Sequence, residues 1–138
     1  MTERRIETVR PAALYPAVPY AYATVAPEGA LVMTAGACPI DVDGQVVGVG
    51  DVAAQAGRVV ANLFAVLEDA GCSPADVLRT TVWVATADRA DLLTAWAVVR
   101  EAFGDWDPPS TLLGVTVLGF PDQLVEVEAV ALREPPTP

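Results

Sequence analysis

The segment that ends the chain constrains the fold most. After a turn at Phe120-Pro121-Asp122, residues 123–131 read Gln-Leu-Val-Glu-Val-Glu-Ala-Val-Ala and predict a strand. Side chains alternate across a strand, so Glu126 and Glu128 share one face, with their carboxylates about 6.5 to 7 Å apart. From residue 125 onward the opposite face carries Val125, Val127, Ala129 and Ala131. One side of this strand must therefore lie against a core.

The face that carries the two glutamates allows two interpretations. Apolar-in, polar-out alternation is ordinary in antiparallel sheets, and the glutamates would then simply face solvent. However, Leu124, Val130 and Leu132 fall on the same face. A carboxylate taken out of water without a partner costs several kcal/mol, so a covered mixed face would require Glu126 and Glu128 to be paired, solvated at a subunit interface, or used in chemistry.

We expect a single α+β domain, residues 1–138, and the composition predicts that it associates with copies of itself. A chain of 138 residues buries roughly two thirds of its unfolded surface. Hydrophobic residues make up 53% of it and the mean hydropathy is +0.40, which is high for a small monomer that must cover itself with polar surface. Oligomerisation explains this excess most simply.

Charge and missing residue types exclude several functions. The net charge is −10, and all eight basic residues are arginines scattered along the chain. Phosphate neutralisation requires a basic patch, so we expect no nucleic-acid partner. The absence of histidine excludes catalytic triads with histidine and histidine metal sites. We expect no metal and no cofactor, and we read Asp41-Val42-Asp43-Gly44 as a turn, since the remaining ligands of a calcium loop are missing.

The chain shows no membrane span and no signal sequence, so we expect a cytoplasmic protein with no membrane partner. The first dozen residues and residues 134–138 read as frayed or edge-paired ends. Cys38 and Cys72 are too few for a disulfide scaffold and too far apart for a Cys-x-x-Cys motif. We expect both to be buried free thiols.

The order of elements predicts a ββαβαββ fold with two helices on one face of a mixed sheet. Residues 17–26 and 30–36 are strand-like and joined like a hairpin at 27–29. Asp51 and Asp88 are suitable N-caps for two helices. The apolar positions that recur at helical spacing are Val52, Ala56, Val59, Leu63, Val66 and Ala70 in the first helix, and Leu92, Trp96, Val99 and Phe103 in the second. No element remains to cover the other sheet face, which favours symmetric association.

These segments resemble the Rid family, the reactive intermediate deaminases that are also called RidA or YjgF proteins and sometimes L-PSP endoribonucleases. The resemblance covers nearly the whole chain and depends on the order and spacing of several short pieces. They are Pro19-Tyr20, residues 34–39 (Thr-Ala-Gly-Ala-Cys-Pro), residues 50–55 (Gly-Asp-Val-Ala-Ala-Gln), Asn62, Ala70-Gly71, residues 80–84 (Thr-Thr-Val-Trp-Val), Phe103, Pro108 and residues 125–131.

The resemblance implies a chorismate-mutase-like fold assembled as a homotrimer, with clefts between neighbouring subunits. Deaminating members hydrolyse imines and enamines such as 2-aminoacrylate to keto acids and ammonia. An arginine holds the substrate carboxylate and a glutamate handles the attacking water. The glutamate matches Glu126, the cleft tyrosine matches Tyr20, and backbone groups near Ala35 and Leu112 match its polar lining.

The chain departs from the family pattern where the carboxylate is held. The family's Pro-x-Arg-Ser becomes Pro108-Pro109-Ser110-Thr111, so Ser110 stands in place of the arginine. Serine cannot form the bidentate, charge-assisted contact that arginine makes with a carboxylate. The polar residues expected at two further cleft positions are replaced by Ala35 and Trp96. Arg79 and Arg100 remain candidates to approach the cleft through the fold.

Two functions follow from this pattern. In the first, the protein is a hydrolase of altered substrate preference, in which Glu126 activates water, Tyr20 with Ser110 or Thr111 binds a neutral substrate, and Trp96 forms an apolar wall. In the second, the cleft binds a small metabolite or a partner without catalysis, as the loss of the arginine suggests. Ribonuclease activity is disfavoured by the acidic charge and by the lack of histidine and lysine.

Overall fold

The main sheet has four strands in the order Ala30–Met33, Val125–Arg133, Val77–Ala85 and Ser110–Val115, of which the last two are parallel and the other neighbouring pairs antiparallel. The computed structural model describes residues 6–136. Its elements are β1 (Glu7–Val9), β2 (Ala23–Val25), β3 (Ala30–Met33), α1 (Val52–Asp69), β4 (Val77–Ala85), α2 (Arg89–Phe103), β5 (Ser110–Val115) and β6 (Val125–Arg133). The predicted α+β class with a mixed sheet is confirmed, and β1 is a strand beyond the predicted ββαβαββ order.

The predicted hairpin between the second and third strands is wrong. Of residues 17–26 only β2 is a strand, and it pairs with β1, while β3 pairs with β6. The reason lies at Gly29, where φ is 149° and a Cβ atom would stand 2.6 Å from the backbone oxygen of Arg133. The connection therefore carries the chain onto the edge of β6 instead of folding it back on β2. Residues 1–5 and 137–138 of the predicted frayed ends lie outside the described residues.

Both helices begin at the predicted caps and pack against the same sheet face. The Asp51 carboxylate accepts a hydrogen bond from the Ala54 amide at 3.0 Å, and Asp88 accepts one from Ala90 at 2.9 Å. In α1, Val66 was expected in the core but is 50% exposed. The buried stripe runs instead through residues 56, 59, 60, 63 and 67; at roughly 100° per residue Val66 projects about 80° from the centre of this stripe, at its edge. Within the described part of the chain, no helix is long and apolar enough to cross a membrane.

The sheet face turned away from the helices, here called the open face, keeps apolar side chains exposed. Leu31 and Met33 on β3 are 62% and 75% exposed. They lie in register with Leu132 and Val130 of β6, so they share the face of Glu126 and Glu128. Leu132 was expected to be uncovered as well but is only 3% exposed. The backbone at Gly29 covers it, since a Cβ there would lie 2.7 Å from Leu132 Cδ1.

A buried glutamine joins the first helix to the turn before β6. Gln55 is fully buried, and its Nε2 donates to the backbone oxygens of Asp122 at 2.9 Å and Gly48 at 3.3 Å. Its Oε1 accepts from the Leu124 amide at 2.7 Å. The side chain thereby satisfies backbone groups in two loops and fixes where β6 begins.

We predict that Gln55→Leu lowers the free energy of unfolding by about 1–3 kcal/mol, because it leaves buried backbone groups without partners. Urea unfolding followed by circular dichroism measures the change. Gln45→Leu is the matched control, since the Gln45 side chain is exposed and should change stability little. Equal effects of the two substitutions would contradict the role given to Gln55.

Candidate functional site

Glu126 is held by two side chains on the open face. It lies opposite Trp83 in the register of β4 and β6. The Cys38 thiol donates a hydrogen bond to Glu126 Oε1 at 3.0 Å, and Gln123 Nε2 approaches the same oxygen at 3.4 Å. Cys38, Gln123 and Glu126 are called the Glu126 group below. Both side chains donate to the same carboxylate oxygen, Oε1, and these hydrogen bonds fix the orientation of the Glu126 side chain.

The loop that carries Cys38 is fixed from the sheet and from α1. Ala37 exchanges both backbone hydrogen bonds with Val127, at 2.8 and 3.2 Å. Asn62 Nδ2 donates to the backbone oxygens of Cys38 at 2.8 Å and Ile40 at 2.9 Å. The pairing with β6 and the hydrogen bonds from α1 together place the Cys38 thiol beside Glu126.

Gly36 is the residue that makes room for the Glu126 carboxylate. A Cβ at this position would lie 2.6 Å from Glu126 Cδ and 2.9 Å from Oε2. Real Cβ atoms essentially never approach other heavy atoms so closely, so any larger residue would push the carboxylate aside. Ala35 precedes this glycine and is itself exposed. The position matched to the family's polar lining therefore lies next to the Glu126 group.

The electrostatics make Cys38 the hydrogen-bond donor. Burial raises the pKa of the Cys38 thiol to about 11, and the hydrogen bond and negative charge of Glu126 act in the same direction. The thiol therefore keeps its proton at neutral pH. Cys38 was expected to be a buried free thiol; it is free but only half-buried, and it contacts the carboxylate. Cys72 is buried and free, as predicted.

Tyr20, Trp96 and Ser110 form a second cluster, near α2 and the start of β5. The rings of Tyr20 and Trp96 meet edge to face with centroids 6.4 Å apart. Trp96 and Ser110 line the same narrow hollow. The Thr80 hydroxyl donates to Ser110 Oγ at 2.6 Å, so Ser110 is engaged inside the chain.

The two residues that follow Ser110 point to opposite sides of β5. Thr111 Oγ1 accepts a long hydrogen bond from Arg79 Nη2 at 3.5 Å, which places both residues on the open face. Leu112 is in register with Val82 and packs against the core. A family match at Leu112 therefore concerns its backbone rather than its side chain.

One chain does not bring all the predicted site residues together. Glu126 faces away from the helices, whereas Trp96, Ser110 and Leu112 lie on the helix side of the sheet. Glu128 shares the open face with Glu126, as the strand pattern predicts, and lies opposite Thr81. Among residues 6–136 no cluster of three or more metal-binding side chains occurs.

Sequence reasoning did not assign a role to Cys38, Gln123 or Asn62. Asn62 and Cys38 stood within segments that matched the family, but no local pattern indicated that Cys38 meets Glu126 across 88 residues or that Asn62 binds the Cys38 backbone. The two candidate arginines are now located. Arg100 lies 3.7 Å from Asp107, and Arg79 lies beside Thr111.

Comparison with known proteins matches this geometry to one family. A family model described as Endoribonuclease L-PSP matches residues 10–133. A RutC family protein of Pyrococcus abyssi is 35% identical over 113 residues, which cover 82% of this chain and 87% of the relative. The chain belongs to the Rid (YjgF) family.

Two further Rid relatives are informative. A 2-iminobutanoate/2-iminopropanoate deaminase of Salmonella typhimurium is 33% identical over 76% of this chain and 81% of its own length. The crystal structure of a Rid family protein of unknown function from Yersinia pestis has a TM-score of 0.86 and 33% identity, and covers 93% of this chain and 98% of its own. Rid membership and the Rid fold are therefore established for the chain.

We predict that Glu126→Gln lowers the pKa of Cys38 and speeds its alkylation by iodoacetamide between pH 8 and 10. The reason is that the neighbouring carboxylate disfavours the thiolate, which is the reactive form. Mass spectrometry of tryptic peptides separates the two thiols, because Arg58 lies between Cys38 and Cys72. Glu128→Gln is the matched control and should leave the pH profile of Cys38 unchanged. An unchanged profile for Glu126→Gln would rule out the contact.

Proposed function

We propose that the protein hydrolyses a small imine or enamine to a carbonyl compound and ammonia, in clefts formed between the subunits of a homotrimer. The observation that carries this proposal is the Glu126 carboxylate, held on the open face by Cys38 and Gln123. The deaminase name of the Salmonella relative supports the reaction class.

The chemistry assigned to Glu126 is that of a general base. Its Oε1 is bound by Cys38 and Gln123, which leaves Oε2 to accept a proton from a water, and the missing side chain at Gly36 gives the carboxylate the room it occupies. The water oxygen adds to the carbon of the C=N bond. The proton taken by Glu126 is then returned to nitrogen, which gives a carbinolamine. Transfer of the carbinolamine O–H proton to nitrogen through Glu126 then forms the carbonyl group as the C–N bond breaks and ammonia leaves. Proton transfer by a positioned side chain contributes about 10²- to 10⁴-fold to such reactions.

The proposed trimer explains two features of the single chain. Leu31 and Met33 expose large apolar side chains on the same sheet face as Glu126, and a neighbouring copy would cover them. Trp96 and Ser110 lie across the sheet from Glu126, and only a second copy can place such residues against its open face. The family resemblance supports this arrangement.

We infer a preference for substrates without a carboxylate at the reacting centre. The residue aligned with the family's carboxylate-binding arginine is Ser110, whose hydroxyl is bound to Thr80. Arg100 points toward Asp107, so it does not replace the missing cation. The ring edge of Trp96 instead offers an apolar contact near Ser110.

A non-catalytic, trimeric small-molecule-binding protein is the second candidate function. The internal hydrogen bond of Ser110 favours it, because this position offers no charge to a substrate and its Oγ already accepts a hydrogen bond from Thr80. The same clefts would bind a metabolite without turnover.

An imine generated in the assay separates the two functions. A flavin-dependent amine oxidase converts benzylamine to its neutral imine, and ultraviolet absorbance follows the decay of that imine to benzaldehyde after the oxidase is inhibited. We predict that the protein speeds this decay, and that it acts less on 2-aminoacrylate than the Salmonella deaminase does, because Ser110 cannot hold the carboxylate.

Glu126→Gln should reduce the hydrolysis of this imine by about 100-fold or more, because the base is lost. Glu128→Gln is the matched control on the same strand face, and it should retain most of the activity. If both variants were as active as the parent, Glu126 would not be the base of the reaction. No acceleration by the parent with any imine would favour the binding function.

A further inference from the structure

A cavity of about 460 Å³ lies between the end of β4 and the loop that joins β5 to β6. Pockets for small molecules are typically about 300–1,000 Å³, so this one is large enough for a small ligand. We call it the Phe120 pocket; the lining residues that matter below are Ala85, Val117, Phe120, Asp122, Gln123 and Leu124. None of the cleft residues implied by the family resemblance is among the described residues that line it.

The Phe120 pocket lies on the open face, directly beside Glu126. The Ala85 amide donates to the Leu124 backbone oxygen at 2.8 Å. Two residues before Ala85, Trp83 lies opposite Glu126. Ala85 and Leu124 are therefore the next pair on the face of Glu126, about 6.5 to 7 Å further along the strands. A substrate whose reacting carbon meets the Glu126 carboxylate can extend from there into the pocket.

Gln123 joins the wall of the pocket to the carboxylate. Its side-chain Oε1 accepts from the Phe120 amide at 3.1 Å, and its Nε2 approaches Glu126 Oε1 at 3.4 Å. The Gln123 amide also donates to the Phe120 backbone oxygen at 3.1 Å, which closes the turn. Gln123 itself is only 4% exposed. The turn that carries Phe120 is thus positioned relative to Glu126 before a ligand binds.

The lining of the Phe120 pocket is mostly apolar and carries one negative charge. Val117 and Phe120 are 77% and 42% exposed although both side chains are large and apolar. Large apolar side chains that stay exposed together at a cavity indicate a binding surface more than scattered ones do. Asp122 is the only charged residue among those described as lining the pocket. Its carboxylate disfavours an anionic ligand, whereas a neutral aromatic ring can meet the Phe120 ring edge to face.

We propose that the Phe120 pocket holds a neutral aromatic or bulky apolar substituent of the substrate, and that Phe120 and Val117 determine specificity. The proposal rests on the proposed function for the reaction and adds the class of substrate, which is an imine or enamine with such a group on the carbon that water attacks. Ser110 stands where the family has its carboxylate-binding arginine, and Asp122 adds a charge that repels a carboxylate. Both features favour the same neutral class.

Imines of two sizes test this specificity. An amine oxidase generates the imines of benzylamine and of propylamine, and ammonia release is measured after the oxidase is inhibited. We expect a higher kcat/KM for the aromatic imine. Phe120→Ala should lower the ratio of the two kcat/KM values about tenfold, because an aromatic contact and its buried area are lost. Leu93→Ala is the matched control, since Leu93 is 61% exposed on α2 and lies outside the pocket, and it should keep the parent's ratio.

Benzamide separates the pocket from the reaction, because it is neutral and has no C=N bond to hydrolyse. In a titration followed by two-dimensional amide NMR, benzamide should shift the signals of residues 116–124. Benzoate, which has the same shape and a negative charge, should bind more weakly. Phe120→Ala should weaken benzamide binding about fivefold or more. Glu126→Gln should abolish imine hydrolysis and keep benzamide binding.

The proposal is overturned if the benzamide shifts lie elsewhere, if Phe120→Ala binds benzamide as well as Leu93→Ala does, or if Phe120→Ala keeps the parent's ratio of imine activities. It is also overturned if Phe120→Ala breaks up the parent's oligomer in light scattering, since Phe120 would then be an interface contact. Benzamide binding that depends on Phe120, without hydrolysis of any imine, would support the pocket as a ligand site and contradict the proposed hydrolysis. Circular dichroism of each variant confirms that the fold is kept.

Discussion

The alternation of side chains along β6 is the constraint on which the rest of the structure depends. This strand pairs with both β3 and β4, and Val125, Val127 and Ala131 are fully buried beneath the helices. The same period of two forces Glu126 onto the opposite face. A shift of one residue in register would exchange the buried and open sets, so the burial of the apolar residues also fixes the position of the carboxylate.

The site is built around that carboxylate by contacts distant in sequence. Asn62 on α1 holds the loop that carries Cys38, Gln55 on the same helix fixes the turn that carries Gln123, and Gly36 leaves the space that Glu126 occupies. Helix α1 thus supports both donors that meet Glu126 Oε1. Glu126 is therefore positioned by contacts from helix α1, although its side chain lies on the sheet face turned away from the helices.

Much of this architecture could be predicted from local patterns. Helix caps at Asp51 and Asp88 and the two faces of β6 follow from residue types and spacing, and the structure contains them. Strand partners do not follow from such patterns, because the choice between β1 and β3 as the neighbour of β2 depends on the close approach at Gly29. The contact between Cys38 and Glu126 likewise joins segments that carry no local signal for each other. The family resemblance supplied Glu126, Tyr20 and Ser110 as candidates, but it could not show that Ser110 is bound to Thr80.

The open face links the fold to the proposed function, because exposed Leu31 and Met33 lie on the same surface as the Glu126 carboxylate. If copies of the chain cover this face, the apolar residues leave water and Glu126 enters a cleft between subunits. Light scattering during gel filtration at micromolar concentration tests this most directly. The account predicts a mass of about three times the 14.4 kDa of one chain. A stable species of 14.4 kDa over the whole concentration range would contradict it.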